Sequence, residues 1–362
     1  MSLLDATMLF NIGNTCNDNA KYSQAIACYQ RALEIYERDP QLDPIYIADT
    51  LDRLGQACYF QGHYIESLSS HKRALEIVGE NHYKAAQILP RIAGVYIAQG
   101  NYDQAIVTSL KALEVCEAFS FHSSSFRAYS LRNIGEAYLL TRRSEDAWPR
   151  LQAALNIYLV NDGEWSQWTA RAIILIGKYH HYRDDMARAE MEFDRAIRIM
   201  SHLFGKMHLG SVVALEAYSE FLIDTQRARQ AIEMLQRVIV LYRDAVGEVN
   251  LRATRALHLL GRAHVKNGDY TLSISHYLQA LEIIELHYGP KYNAEAGLIM
   301  KELAVSYRAT NQEEKAVGIL RVAVALLEIY FGEDHVFTLE IKKESNVAAR
   351  EEVDGHSVSD RL

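Results

Sequence analysis

The chain has 362 residues, of which 49% are hydrophobic and 23% charged, and its formal net charge is −8. That balance supplies apolar material for a continuous core and excludes a disordered or collagen-like chain. Neither half is basic enough for general nucleic-acid binding, and no apolar stretch approaches the roughly 20 residues that cross a bilayer.

Met1 to Phe10 lacks the basic start and apolar run of a secretory leader, and a cytoplasmic location is the expectation. Cys16, Cys28, Cys58 and Cys116 show neither CxxC spacing nor a neighbouring His pair. They read as reduced structural thiols, and no metal or cofactor is expected.

In chain order, a small residue recurs at Gly13, Gly55, Ala93, Gly135, Gly177, Ser219, Gly261 and Ala304, in steps of 42, 38, 42, 42, 42, 42 and 43. A fixed period of this size marks a solenoid, whose units bury their apolar faces only against neighbours. Bulky groups stand four and one residues before each small residue and three after it, as Leu51, Leu54 and Cys58 do around Gly55. These positions share one helical stripe, and the small residue among them lets a second helix approach. Twelve residues on, Ala25, Ser67, Ala105, Ala147, Ala189, Ala231, Ser273 and Ala316 mark that second helix. A turn joins the two, clearest as Gln61-Gly62-His63-Tyr64, Gln99-Gly100-Asn101-Tyr102 and Asn267-Gly268-Asp269-Tyr270.

Between pairs, Gly163, Gly205, Gly247 and Gly289 recur at 42-residue steps and Gly332 follows at 43; His208, Asn250, Tyr292 and His335 stand three residues after four of them, and Gly79 precedes His82 in the same way. Glycine suits the left-handed residue that ends a helix, and the polar group can begin the next. Repeats therefore start near 6, 48, 86, 128, 170, 212, 254 and 297. A closing helix is expected over 334–352, with a polar, mobile tail at 353–362. Residues 1–352 read as a single domain.

The segments Leu-Gly-Gln-Ala-Cys-Tyr-Phe-Gln-Gly-His-Tyr (54–64) and Leu-Gly-Arg-Ala-His-Val-Lys-Asn-Gly-Asp-Tyr (260–270) resemble the first helix and turn of the tetratricopeptide repeat (TPR). The resemblance covers about residues 6 to 331, although the usual Trp is replaced by Leu, Ile or Met and repeats 4, 5, 6 and 8 lose the Gly and Tyr of the turn. The long spacing and Gly-x-x-His punctuation are similar to the kinesin light chain subgroup. This resemblance implies an all-α fold, a right-handed superhelix of about eight helix pairs with a C-terminal cap, and a peptide-holding concave groove lined by the first helix of each pair.

On that wall the exposed positions beside the apolar stripe carry Asn11, Asn14, Arg53, Gln56, Arg91, Arg132, Asn133 and Glu136, followed by Lys178, His181 and Arg262. Amides can clamp a peptide backbone and guanidiniums can hold a carboxylate bidentately. The expected partner is a protein or peptide that is acidic or ends in a free carboxylate, with no nucleic acid and no membrane insertion. At the equivalent positions of the second half, Leu175, Ala217 and Leu259 form either an apolar floor or a surface covered by neighbouring helices.

An adaptor or scaffold is the leading reading; a peptide-sensing regulatory receptor is the alternative. An enzyme has least support. His180 and His264 occupy core-stripe positions, no HExxH, phosphate loop or GxSxG occurs, and Glu136 and Glu220 sit two repeats apart.

Overall fold

The computed structural model describes residues 3–343 except 20, 123, 206–208, 248–249, 289–293 and 334–337. Among the described residues, helices α1 to α16 follow one another as eight pairs: Leu3–Asp18 with Tyr22–Tyr36, Pro44–Gln61 with Tyr64–Val78, Ala85–Ala98 with Tyr102–Ala118, Ser125–Leu140 with Ser144–Asn161, Gln167–Tyr182 with Met186–Phe204, Leu209–Asp224 with Ala228–Val246, Ala253–Asn267 with Tyr270–Tyr288, and Ala294–Ala309 with Glu313–Phe331. No strand occurs among the described residues. This is the all-α, solenoid-type stacking of helix pairs expected from the period. Residues 338–343 are also helical, inside the span expected to close the array. The remainder of 334–352, the tail 353–362, and Gly289, His208, Tyr292 and His335 lie outside the described residues.

The chain divides into two compact units, residues 1–221 with 240–252 and residues 222–239 with 253–362. The first contains α1 to α10, most of α11 and the end of α12 with its following connector. The second contains most of α12 and then α13 to α16.

Each pair forms for the same local reasons. The position seven residues past the small residue is left-handed at Gly62, Gly100 and Gly268, as the turn glycines predict, and equally at Arg142, Asp184, Gln226 and Asn311, where φ lies between 57° and 62°. In all eight pairs the amide of the next residue donates to the carbonyl five residues earlier, from Lys21 to Cys16 (2.8 Å) through Arg143 to Tyr138 (2.7 Å) to Gln312 to Tyr307 (2.9 Å). This six-to-one bond satisfies a carbonyl orphaned at the helix end and fixes the reversal. The turn thus survives the loss of its glycine in repeats 4, 5, 6 and 8.

Helix starts are capped where the sequence offers a short polar side chain. The Ile45 amide donates to Asp43 Oδ1 ahead of Pro44, Arg127 to Ser124 Oγ, and Trp168 to Ser166 Oγ. His82 and Asn250, the described members of the connector pattern, hold the turn just ahead of a helix instead of capping it: the Lys84 amide donates to His82 Nδ1 (3.3 Å) and the Arg252 amide to Asn250 Oδ1 (2.9 Å), while α5 and α13 start at Ala85 and Ala253.

Packing then follows the stripes. In the first unit, Ile173 and Ile174 of α9, Phe193, Ile199 and Met200 of α10, and Phe221 of α11 form one buried cluster. Each such side chain contributes about 1.5–3 kcal/mol on removal from water. His180 and His264 are buried as core-stripe residues, and His180 packs edge-on against Trp148 with ring centroids 5.6 Å apart. All four cysteines are free, with Cys58 and Cys116 buried.

Candidate functional site

Within the first unit, α3, α5, α7 and α9, backed by α4 and α8, enclose a cavity of about 190 Å³. The first helices line it from one continuous face. Phe126 and Trp168 stand nine residues before their small residue; Gln87, Tyr129 and Arg171 stand six before; Arg91 and Arg132 two or three before; Gln56 and Tyr59 one and four after. At 3.6 residues per turn these offsets fall along one side of a helix. His71 of α4 and Tyr158 of α8 complete the wall from the second helices.

Two electrostatic environments meet in this cavity. On one side, the buried Asp52 carboxylate pairs with Arg91 and accepts hydrogen bonds from His71 Nδ1 (2.9 Å) and Gln87 Nε2 (3.0 Å). Burial alone would push its carboxyl up, but Arg91 and the bonds from His71 and Gln87 outweigh that and hold it at about 2. Arg91 is therefore neutralised locally.

On the other side, Arg132 and Arg171 have no such partner. Arg132 is 6% exposed, lies 4.5 Å from the Tyr129 ring centroid and donates from Nη2 to Asn133 Oδ1 (3.0 Å). Its Nε, the Nε of Arg171 and the hydroxyl of Tyr158 are buried and meet no hydrogen-bonding partner among the described residues. Burial lowers the tendency of Arg171 to hold its proton, and the like charges of Arg132 and Arg252 add to this, although a guanidinium stays charged at any working pH. Glu136, one turn along α7, acts on Arg132 without forming an ion pair. Burial also pushes the Tyr158 phenol up, so it stays a neutral donor. A wall of this kind can receive an anion.

The residues selected from the sequence do not all meet here. Gln56, Arg91 and Arg132 line the cavity, with Glu136 close by. Arg53 donates to Gln56 Oε1 (3.3 Å) beside it. Asn133 is fully buried and donates to the Pro90 carbonyl (2.7 Å), tying α7 to α5. In α1, Asn14 accepts from the Tyr29 hydroxyl (2.8 Å) and Asn11 is exposed. Lys178 pairs with Glu220 at 3.0 Å, and buried His181 packs edge-on against Phe221. Arg262 pairs with Asp224 at 2.9 Å in the second unit. Leu175, Ala217 and Leu259 are buried, so neighbouring helices cover them rather than leaving an apolar floor.

Arg171, Tyr59, Tyr129 and Tyr158 were not selected from the sequence. Extending the same helical stripe by a turn in each direction reaches all but Tyr158, which comes from the second helix of its pair.

A further contact joins two distant segments of the first unit. Asn250, in the connector after α12, donates from Nδ2 to the Gln61 carbonyl (2.6 Å), and Arg252 donates to the Phe60 carbonyl (3.3 Å) with its guanidinium 5.8 Å from the Phe60 ring centroid. The connector thus docks on the α3–α4 turn, 189 residues away in sequence.

Comparison with known proteins agrees with this architecture. The tetratricopeptide repeat profile matches residues 4–80, 84–159 and 252–341, more than half of the chain. No curated protein matches the sequence. Among solved structures, a Rap protein complexed with Competence and Sporulation Factor is similar at TM-score 0.59 and 16% identity, over 95% of this chain and 99% of that one. The apo form of RapI is similar at TM-score 0.55 and 18% identity, over 77% and 97%. A putative kinesin light chain from Podosopora anserina with nearly identical TPR-like repeats gives TM-score 0.44 at 14% identity, over 57% and 98%. With its eight helix pairs and these profile matches, the chain belongs to the tetratricopeptide repeat family.

Proposed function

We propose that this protein is a non-catalytic adaptor that holds a linear peptide segment of a partner protein against the first helices of its N-terminal unit, with an acidic group of that segment on Arg132 and Arg171. One observation carries the reading: Arg132 and Arg171 line the same cavity, the Nε of each lacks an acceptor, and no carboxylate is paired to them among the described residues. A charge removed from water without a counterion is costly by several kcal/mol, so such a pair favours an anionic ligand. Membership in a family of protein-interaction repeats supports a protein partner over a metabolite.

A second reading, a peptide-sensing regulatory receptor, is supported by the likeness over nearly the full length of both chains to a Rap protein solved in complex with Competence and Sporulation Factor. The two differ in response. A receptor changes conformation on binding, whereas an adaptor keeps its shape.

Both are tested by screening a peptide array with the full-length protein, followed by fluorescence anisotropy against the Arg171→Gln variant. Micromolar binding of acidic peptides that weakens about tenfold in the variant is expected. Equal binding of acidic and neutral peptides by both proteins would refute the reading. Small-angle scattering with and without the selected peptide then separates receptor from adaptor.

A further inference from the structure

The cavity of the first unit is more selective than a general acidic groove, and its size, walls and charge each restrict the ligand. About 190 Å³ falls below the roughly 300 Å³ at which drug-sized pockets begin. Nucleotides and extended peptides are too large for this space, whereas one ring with a short substituent fits.

The walls favour such a ring. Phe126, Tyr129 and Trp168 line one end of the cavity, and the Tyr129 and Trp168 rings lie 6.0 Å apart at 40° to one another. Flat aromatic walls pack best on a flat apolar body. The adjoining polar wall carries Arg132, Arg171 and the Tyr158 hydroxyl. Tyr158 is 1% exposed and Arg132 6%, and the Nε of each arginine and the phenol lack an acceptor among the described residues. Guanidiniums and a phenol lining one wall match a carboxylate, which has two oxygens and accepts about four hydrogen bonds.

We infer that the cavity binds an aromatic ring carrying a carboxylate within a few bonds, with the ring against Phe126, Tyr129 and Trp168 and the carboxylate on Arg132, Arg171 and Tyr158. This deepens the reading above by naming the group that enters. Two sources share that chemistry: a free aromatic acid, and the last residue of a peptide ending in Phe, Tyr or Trp.

Calorimetry on the full-length protein would use phenylacetate, N-acetylphenylalanine, N-acetylphenylalaninamide and inorganic phosphate as probes. The acids should bind, with the amide and phosphate at least about tenfold weaker, as expected for loss of a charged hydrogen bond or of ring packing. Arg171→Gln should weaken the acids by a similar factor and Tyr158→Phe by about threefold, with circular dichroism verifying that both variants are folded. Phenylacetate as strong as N-acetylphenylalanine assigns the site to free acids. Binding of the acylated residue alone assigns it to a peptide terminus. Equal affinity for acid and amide, phosphate as strong as the acids, or no binding by any acid overturns the inference. If acidic peptides with amidated ends still bind in that last case, the adaptor reading stands and only this assignment fails.

Discussion

Phe193 lies directly over Gly177, so that a Cβ at position 177 would sit 2.9 Å from a ring carbon. The relationship repeats sixteen residues on in other pairs: Tyr29 over Gly13, His71 over Gly55, Leu151 over Gly135 and Tyr277 over Gly261. In repeat 3 the bulk is reduced from both sides, because Ala93 replaces glycine and Ser109 replaces the large side chain. Gly177→Ala should therefore lower stability by about 1–3 kcal/mol through overpacking. Chemical denaturation checks this, and a variant as stable as wild type would show that the ring yields without cost.

The left-handed turn residue makes a prediction in the opposite direction. Gln226 is exposed and holds φ at 62°, where its Cβ is disfavoured by about 1–2 kcal/mol. Glycine relieves that strain but adds unfolded-state entropy worth about 0.5–1 kcal/mol. Gln226→Gly should thus be neutral to stabilising by up to about 1 kcal/mol, and Gly268→Val destabilising by more than that. Thermal melts of the two variants should move apart in sign.

Acid should act through Asp52. Its carboxyl is held at about 2 in the folded protein, below its usual range. The resulting stabilisation, of the order of 2 kcal/mol, is fully present above an unfolded value of roughly 4 and is lost as pH falls from there towards about 2. Asp52→Asn leaves Arg91 and His71 without their anion and should cost about 3 kcal/mol at neutral pH. Urea unfolding at pH 7, 4 and 3 should fall less steeply between the last two values for Asp52→Asn than for wild type.

Docking of the connector can be read by hydrogen exchange. Asn250→Ala removes both the bond to the Gln61 carbonyl and the acceptor for the Arg252 amide. A loss of about 1–2 kcal/mol is expected. Faster exchange should appear around 60–64 and 250–254, with the buried α9–α10 amides unchanged. Uniformly faster exchange would mean that the contact supports the whole unit instead.

The sequence alone determined the eight helix pairs, their register and their turns. These follow from local rules: a 3.6-residue stripe, a small residue at the close approach, and a six-to-one bond that depends only on neighbouring residues. Asn250 was legible as a polar residue ahead of a helix, although its side chain holds the preceding turn. Only the tertiary structure decided which side chains share a cavity, that Asn133 ties α7 to α5, that Asp52 cancels Arg91 while Arg132 and Arg171 keep their charge, and that a connector closes on a turn 189 residues away. Those outcomes depend on which residues of different repeats come within a few ångströms of one another, and a repeat period fixes what each unit looks like without fixing which partners its side chains find across the stack.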